Sequence, residues 1–221
     1  MRSILLLLLL STIPLKGLAQ ERKKRLPDVS ATIKGDLQLP VPLNTPLFNS
    51  ITETIGMLGL TYQHPLFDGL GIGVGANMSW FGVEERALAP LVTSGEIRRL
   101  RFFGKVQFER YTGERSYYEL QARAGVASYD YDCPTCPSVA PRPAFHWGLG
   151  AGYYLHATEN LSFGLTLGYE ADAVRFAASD LGLTGFPGRR EVAETRDQQY
   201  LVVGMGFSTR LRRSPDSDQG W

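Results

Sequence analysis

The sequence lacks any long apolar run beyond its first twenty residues, so no later stretch is suited to cross a bilayer as a helix, which takes about 20 apolar residues. It lacks an excess of either charge: 23 Lys+Arg against 22 Asp+Glu leave a net +1, without the basic excess of a nucleic-acid binder. Cysteine occurs twice and histidine three times, which leaves little for a metal centre. Helical periodicity is missing as well, because apolar residues recur at i, i+2, i+4 rather than at i, i+3, i+4. Disorder is excluded by 11 Phe, 10 Tyr and abundant β-branched residues. With 24 glycines added, the 221 residues read as an all-β chain large enough for one sizeable domain.

The start of the chain is an address. Arg2 precedes the leucine-rich run Ile4–Leu15, and Gly17 and Ala19 stand at the −3 and −1 positions of a cleavage site before Gln20. Residues 1–19 are therefore expected to be a secretory signal peptide, and 20–29 a periplasmic leader containing the basic stretch Glu21–Arg25. That stretch reads as a solvated tail or as a contact for acidic headgroups. If the exported protein lives in a membrane, it must be a closed barrel, since lipid offers no partners for unpaired backbone groups.

Period-2 patterning marks strands near Ser30–Leu39, Thr54–Gln63, Leu70–Phe81, Ile97–Tyr111, Tyr117–Tyr129, Phe145–His156, Leu161–Phe176 and Gln199–Leu211. Most are about as long as the ~9–11 tilted residues that span a bilayer, or longer. Their connections alternate. Short turns lie at Pro65–Gly69, Thr112–Ser116 and Ala157–Asn160; long links lie at Pro40–Ile51, Gly82–Glu96, Asp130–Ala144 and Ala177–Gln198. That alternation is the mark of an outer-membrane barrel with periplasmic turns and extracellular loops. The expected layout is a barrel over 30–211 and a polar tail over 212–221.

The two faces of the strands differ in kind. Strand eight sets Leu201, Val203, Met205 and Phe207 against Val202, Gly204, Gly206, Ser208 and Arg210, and strand seven sets Leu165 and Leu167 against Gly164, Thr166, Gly168 and Glu170. Glycine and small polar residues make a poor solvent surface but suit the crowded interior of a narrow barrel. The bulky apolar face then meets lipid, with interface aromatics Tyr62, Trp80, Phe108, Tyr118, Phe145, Phe163 and Phe207 near its strand ends. The interior receives Lys34, Asp36, Arg99, Arg101, Lys105, Glu109, Glu119, Arg123, Glu170, Asp172 and Arg210. Charges withdrawn from water must be paired, so a cross-lumen network is expected. Strand directions favour Arg99 and Arg101 with Glu170 and Asp172 toward the loops, and Glu109, Glu119 and Arg210 as a second group toward the turns. The lumen is then plugged rather than an open channel.

The segments GLGIGVGANMSWFGV at Gly69–Val83, FHWGLGAGYYL at Phe145–Leu155, LSFGLTLGYE at Leu161–Glu170 and YLVVGMGFSTRL at Tyr200–Leu211 resemble the strands of small eight-stranded outer-membrane β-barrel proteins, the group of the OmpA transmembrane domain and the OmpW- and OmpX-like barrels. The resemblance implies an all-β, eight-stranded antiparallel up-and-down transmembrane barrel in the outer membrane of a Gram-negative-type cell. It departs from the pattern at the C-terminus, where a polar tail follows the last strand, so Phe207 stands in for a closing aromatic. A peptidoglycan-binding domain is not expected.

Chemistry-bearing residues are sparse. Cys133 and Cys136 in an exported chain are expected to form a disulfide; a redox pair would need a thioredoxin-like context, and a metal site more ligands than Asp130 and Asp132. His64, His146 and His156 are read as lumen or turn residues, and no spacing singles out a Ser–His nucleophile, though Ser162 and Glu159 lie near His156. No enzyme activity and no cofactor are expected. The expected partners are outer-membrane lipids, the barrel-assembly machinery, and an extracellular ligand met by loops 130–144 and 177–198, with no nucleic acid and a monomeric state. The expected role is structural or surface recognition. The alternatives are an OmpW-like transporter of small or hydrophobic ligands and, further off, a lipid-modifying enzyme.

Overall fold

The computed structural model describes residues 31–67, 69–92, 94–137, 141 and 143–211. The expected signal peptide, leader and polar tail lie outside the described residues. Eight strands follow in chain order: β1 Thr32–Leu43, β2 Thr52–Phe67, β3 Leu70–Val83, β4 Glu96–Tyr111, β5 Ser116–Asp132, β6 Pro143–His156, β7 Leu161–Asp172 and β8 Gln198–Arg210. Each is antiparallel to its neighbours, and β1 pairs with β8 to close the barrel. Closure leaves no sheet edge, the condition lipid imposes on a spanning sheet. Among the described residues no helix is long and apolar enough to cross a membrane.

The turns follow from local chemistry. Between β2 and β3 the chain reverses through Gly69 at φ +75°, where a Cβ would also fall 2.5 Å from the Glu109 carbonyl oxygen. Only glycine fits there. At the opposite end, β7 stops at Asp172 instead of running on to Phe176. The Val174 N–H bonds the Asp172 carbonyl at 2.7 Å, and that tight turn sends Phe176 inward, where it is 1% exposed.

β1 is longer than the alternation suggests. It pairs with β8 from Thr32↔Arg210 to Leu43↔Gln199, passing Pro40 and Pro42. Its pairing with β2 ends at Gln38↔Met57. Pro40 and Pro42 have no N–H to offer a ladder. Across this seam the Thr54 hydroxyl donates to the Pro40 carbonyl at 3.0 Å, and an irregularity in β2 between Thr54 and Gly56 leaves Ile55 61% exposed.

The outward face is apolar. Leu58, Leu60, Val74, Phe102, Phe145, Leu149, Leu165 and Met205 are each more than half exposed. A contiguous belt of this size has no place on a water-soluble monomer. Leu165, Val203 and Met205 point out, while Arg101 and Glu170 are enclosed. The molecule is an eight-stranded antiparallel up-and-down transmembrane β-barrel.

Candidate functional site

The interior is the polar part of the protein, because every second residue of each strand points into it. Toward the loops, Arg99 grips Asp172 with both arms of its fork, Nε to Oδ2 at 2.5 Å and Nη2 to Oδ1 at 2.8 Å, and reaches Glu170 at 3.3 Å. Arg101 also bonds Glu170, and Arg123 approaches it at 3.5 Å. Asp172 further accepts from the Tyr129 hydroxyl at 2.5 Å and pairs with His146 Nδ1 at 2.7 Å. The Arg99 guanidinium lies 4.1 Å from the centre of the Tyr200 ring. Arg99, Arg101 and Asp172 are fully buried, so each charge depends on this geometry to offset lost hydration.

Toward the turns, a second group joins Lys34 to Glu119, Lys34 to Glu109 at 2.9 Å, and Lys105 to Glu119 at 3.0 Å. Lys34 Nζ also sits 4.6 Å above the Tyr154 ring, which stacks on Tyr117. Space for Tyr154 comes from glycine: a Cβ on Gly164 would lie 2.6 Å from its ring, and one on Gly206 2.8 Å from its hydroxyl. Between the two groups Gln38 Nε2 donates to Thr166 at 2.7 Å, beside a cavity of about 10 Å³ lined by Gln121, Arg123 and Glu170. That is room for about one water.

Two lumen residues stand apart from these groups. Asp36 is buried, yet no ion pair within 4.0 Å reaches it among the described residues. Arg210 points inward but joins neither Glu109 nor Glu119, which Lys34 and Lys105 occupy; its guanidinium bonds the Tyr111 hydroxyl. The turn-side acids are met by cations from β1 and β4, because the register brings Lys34 and Lys105 to the same depth.

Above the lumen the loops fold into one apolar core. Phe48, in the four-residue helix α1 (Pro46–Asn49), packs edge-on against Phe81 and against Phe176, each at 5.3 Å. Phe186 adds to Phe176 at 5.8 Å, and Leu88, from the four-residue helix α2 (Glu85–Leu88), is fully buried beside them. Polar links join the loops: Glu194 accepts the Phe48 N–H at 2.9 Å, and the Glu84 N–H reaches the Ile51 carbonyl at 2.8 Å. Cys133 and Cys136 are disulfide-bonded, and within that ring the Thr135 hydroxyl donates to the Leu181 carbonyl at 2.9 Å. Gly182, at φ +69°, passes so close that a Cβ would fall 1.9 Å from the Thr135 carbonyl oxygen.

The remaining residues singled out in the sequence are spread around the wall. Tyr62, Phe108, Phe145, Phe163 and Phe207 are well exposed on the outer face, with Trp80 and Tyr118 half-buried beside them. His64 is exposed on the same face. Arg98 faces outward too, pairing with Asp130 at 2.8 Å where the wall leaves the apolar belt. His156 Nδ1 meets the Ser162 hydroxyl at 2.8 Å, but the group at its other nitrogen is Arg210, not the carboxylate that a hydrolytic triad places there.

No protein-family model matches the sequence, and no curated protein matches it. Several solved structures align with most of this chain. Neisserial surface protein A (NspA) superposes with a TM-score of 0.49 at 7% identity, over 82% of this chain and 97% of its own. The outer membrane protein OprG from Pseudomonas aeruginosa gives 0.48 at 13%, over 84% and 98%. Ail, the attachment invasion locus protein of Yersinia pestis, in complex with the heparin analogue sucrose octasulfate, gives 0.44 at 13%, over 81% and 97%. At these identities the likeness is one of architecture, and the barrel assignment rests on this chain's own strand pairing.

The shared loop core was missed by alternation alone, which reads loops as solvated links. Its signal was present: Leu47, Phe48, Leu88, Val92, Leu181 and Phe186 are bulky apolar residues inside long connections, where a solvated loop would carry few.

Proposed function

We propose that this chain is an outer-membrane barrel of a Gram-negative-type cell that passes no solute and acts through its loop end, as a structural element or a recognition platform. The observation that carries this reading is the double closure of the lumen: two ion-paired groups fill the bore, and an apolar core roofs it. Loops held on a rigid scaffold commonly carry binding, and here the loops are themselves packed into one body. Cys133–Cys136 and the 173–197 segment form one side of that body and are the favoured contact for an extracellular ligand. The protein works as a monomer, without cofactor or catalysis, in contact with outer-membrane lipids, and reaches the membrane through an export signal and the barrel-assembly machinery.

Planar-bilayer recording tests the reading. Refolded protein is expected to show no steady ion conductance; sustained openings in the unmodified protein would overturn it.

One observation favours the transporter alternative, namely the β1–β2 seam above Gln38, where apolar Leu39, Val41 and Ile55 flank a wall without a full ladder. In that reading a hydrophobic ligand would leave sideways through the wall. Cross-linking the seam with cysteines at Val41 and Ile55 should abolish uptake of such a ligand if the route is used, and leave it unchanged if not.

A further inference from the structure

We propose that the turn-side mouth of the barrel is a binding site for a phosphate group, anchored by Arg210. Of the six cations that face the lumen, Lys34, Arg99, Arg101, Lys105 and Arg123 each meet a carboxylate within 4.0 Å. Arg210 is the exception among the described residues. Its Nη2 donates to the Tyr111 hydroxyl and lies 3.4 Å from His156 Nε2, and these are neutral partners. A guanidinium has five N–H donors in a planar fork, so most of this one remains unused by the side chains around it. Glu109, the acid on the same side, already accepts from Lys34, Gln63 and Gln107 on one oxygen.

The surroundings hold the fork in place. The Tyr111 and His156 rings stack at 5.8 Å with 10° between their planes, and Tyr117 packs against both, at 5.5 and 5.3 Å. His156 is fixed at its second nitrogen by Ser162 at 2.8 Å. An arginine donating to Nε2 selects the imidazole with its proton on Nδ1, which then donates to Ser162. Ser162 is thus a buried anchor for the His156 ring. Ser162 and Tyr117 form the floor, each 3% exposed, whereas Arg210, Tyr111 and His156 are only partly covered and form the rim. A fork of unused donors, with the Tyr111 O–H beside it, suits an oxyanion, and the planar guanidinium matches phosphate in two-point contact. The phosphate could be free or carried on a lipid headgroup, since the rim lies at the end of the apolar belt. This site is at the opposite end of the barrel from the loop platform and does not depend on it.

The test uses the full protein refolded in neutral detergent, with NMR signals of the Arg210 Nε–H and the His156 ring followed during two titrations. One adds inorganic phosphate and the other a short-chain phosphatidylglycerol. Saturable shifts in the ~1 mM range of a single exposed anion site are expected. Response to phosphate alone assigns a free anion, response to the lipid alone assigns a headgroup, and response to both assigns the shared chemistry. Arg210→Gln should abolish the shifts, and Tyr111→Phe should weaken binding about fivefold, the loss of one hydrogen bond. Heat-modifiable gel migration establishes that both variants are folded. Arg98→Gln, which alters a paired arginine at the far end, should bind as the unaltered protein does. Absence of saturation with both probes, or equal shifts in folded Arg210→Gln, overturns the proposal.

Discussion

Glu170 is the residue on which the loop-side half of the lumen turns. It meets Arg99, Arg101 and Arg123; replacing it leaves Arg101 and Arg123 without a carboxylate within 4.0 Å, while Arg99 keeps Asp172. Glu170→Ala should destabilise the folded barrel by about 3–5 kcal/mol, the cost of breaking a buried pair. Equilibrium urea unfolding in lipid vesicles reads this directly, and a change below about 1 kcal/mol would mean Arg101 and Arg123 find other partners. The glycines beneath Tyr154 make the opposite case, where what matters is space. Gly164→Val would force its side chain into a ring already at contact distance, and about 1–3 kcal/mol of overpacking cost is expected in the same assay. A paired Gly164→Val, Tyr154→Ala variant should cost less than the sum of the two single changes, because the ring is one of the groups the valine meets.

At the level of strands and loops, pairing is uneven in a way that dynamics should report. The β1–β2 ladder stops at Gln38↔Met57, so the amides of Thr54, Ile55 and Gly56 should exchange with solvent at least ~10-fold faster than those of Gly59 and Thr61, which lie within the ladder. Uniform protection along β2 would show that the seam is closed by other means. The loops should behave as one unit. Gly182→Ala cannot be accommodated beside Thr135, so it should open the whole 173–197 segment to protease while the strands stay protected. Cleavage confined to one or two bonds near 182 would argue that the loops pack independently.

For the molecule as a whole, much was legible in the amino-acid order because the bilayer leaves a barrel so few options. Every second position has to choose between hydrocarbon and a narrow lumen, and runs such as LGIGVGANMSW state that choice plainly. The pairing of Arg99 and Arg101 with Glu170 and Asp172 followed from strand direction alone, since opposite ends of antiparallel strands meet at the same depth. What did not follow were the features that depend on register and three-dimensional closure. Whether Lys34 or Arg210 reaches Glu109 is decided by one or two residues of stagger between strands distant in sequence. The path of β1 past two prolines depends on β8, which lies more than 150 residues further along the chain. The loop core was hidden for a related reason: Phe48, Phe81 and the pair Phe176 and Phe186 come from three segments far apart, and no periodicity links them. The intact protein should migrate faster on SDS gels unheated than boiled, as a closed barrel resists detergent; identical migration would count against it.

That common core has a consequence for antibodies. A serum raised against a peptide copied from a single loop would meet the right residues in the wrong shape, because each loop is packed against its neighbours. Epitopes on the native surface should be discontinuous, drawing at once on the segments around Ser50, Thr135 and Arg189, and should disappear when the protein is boiled.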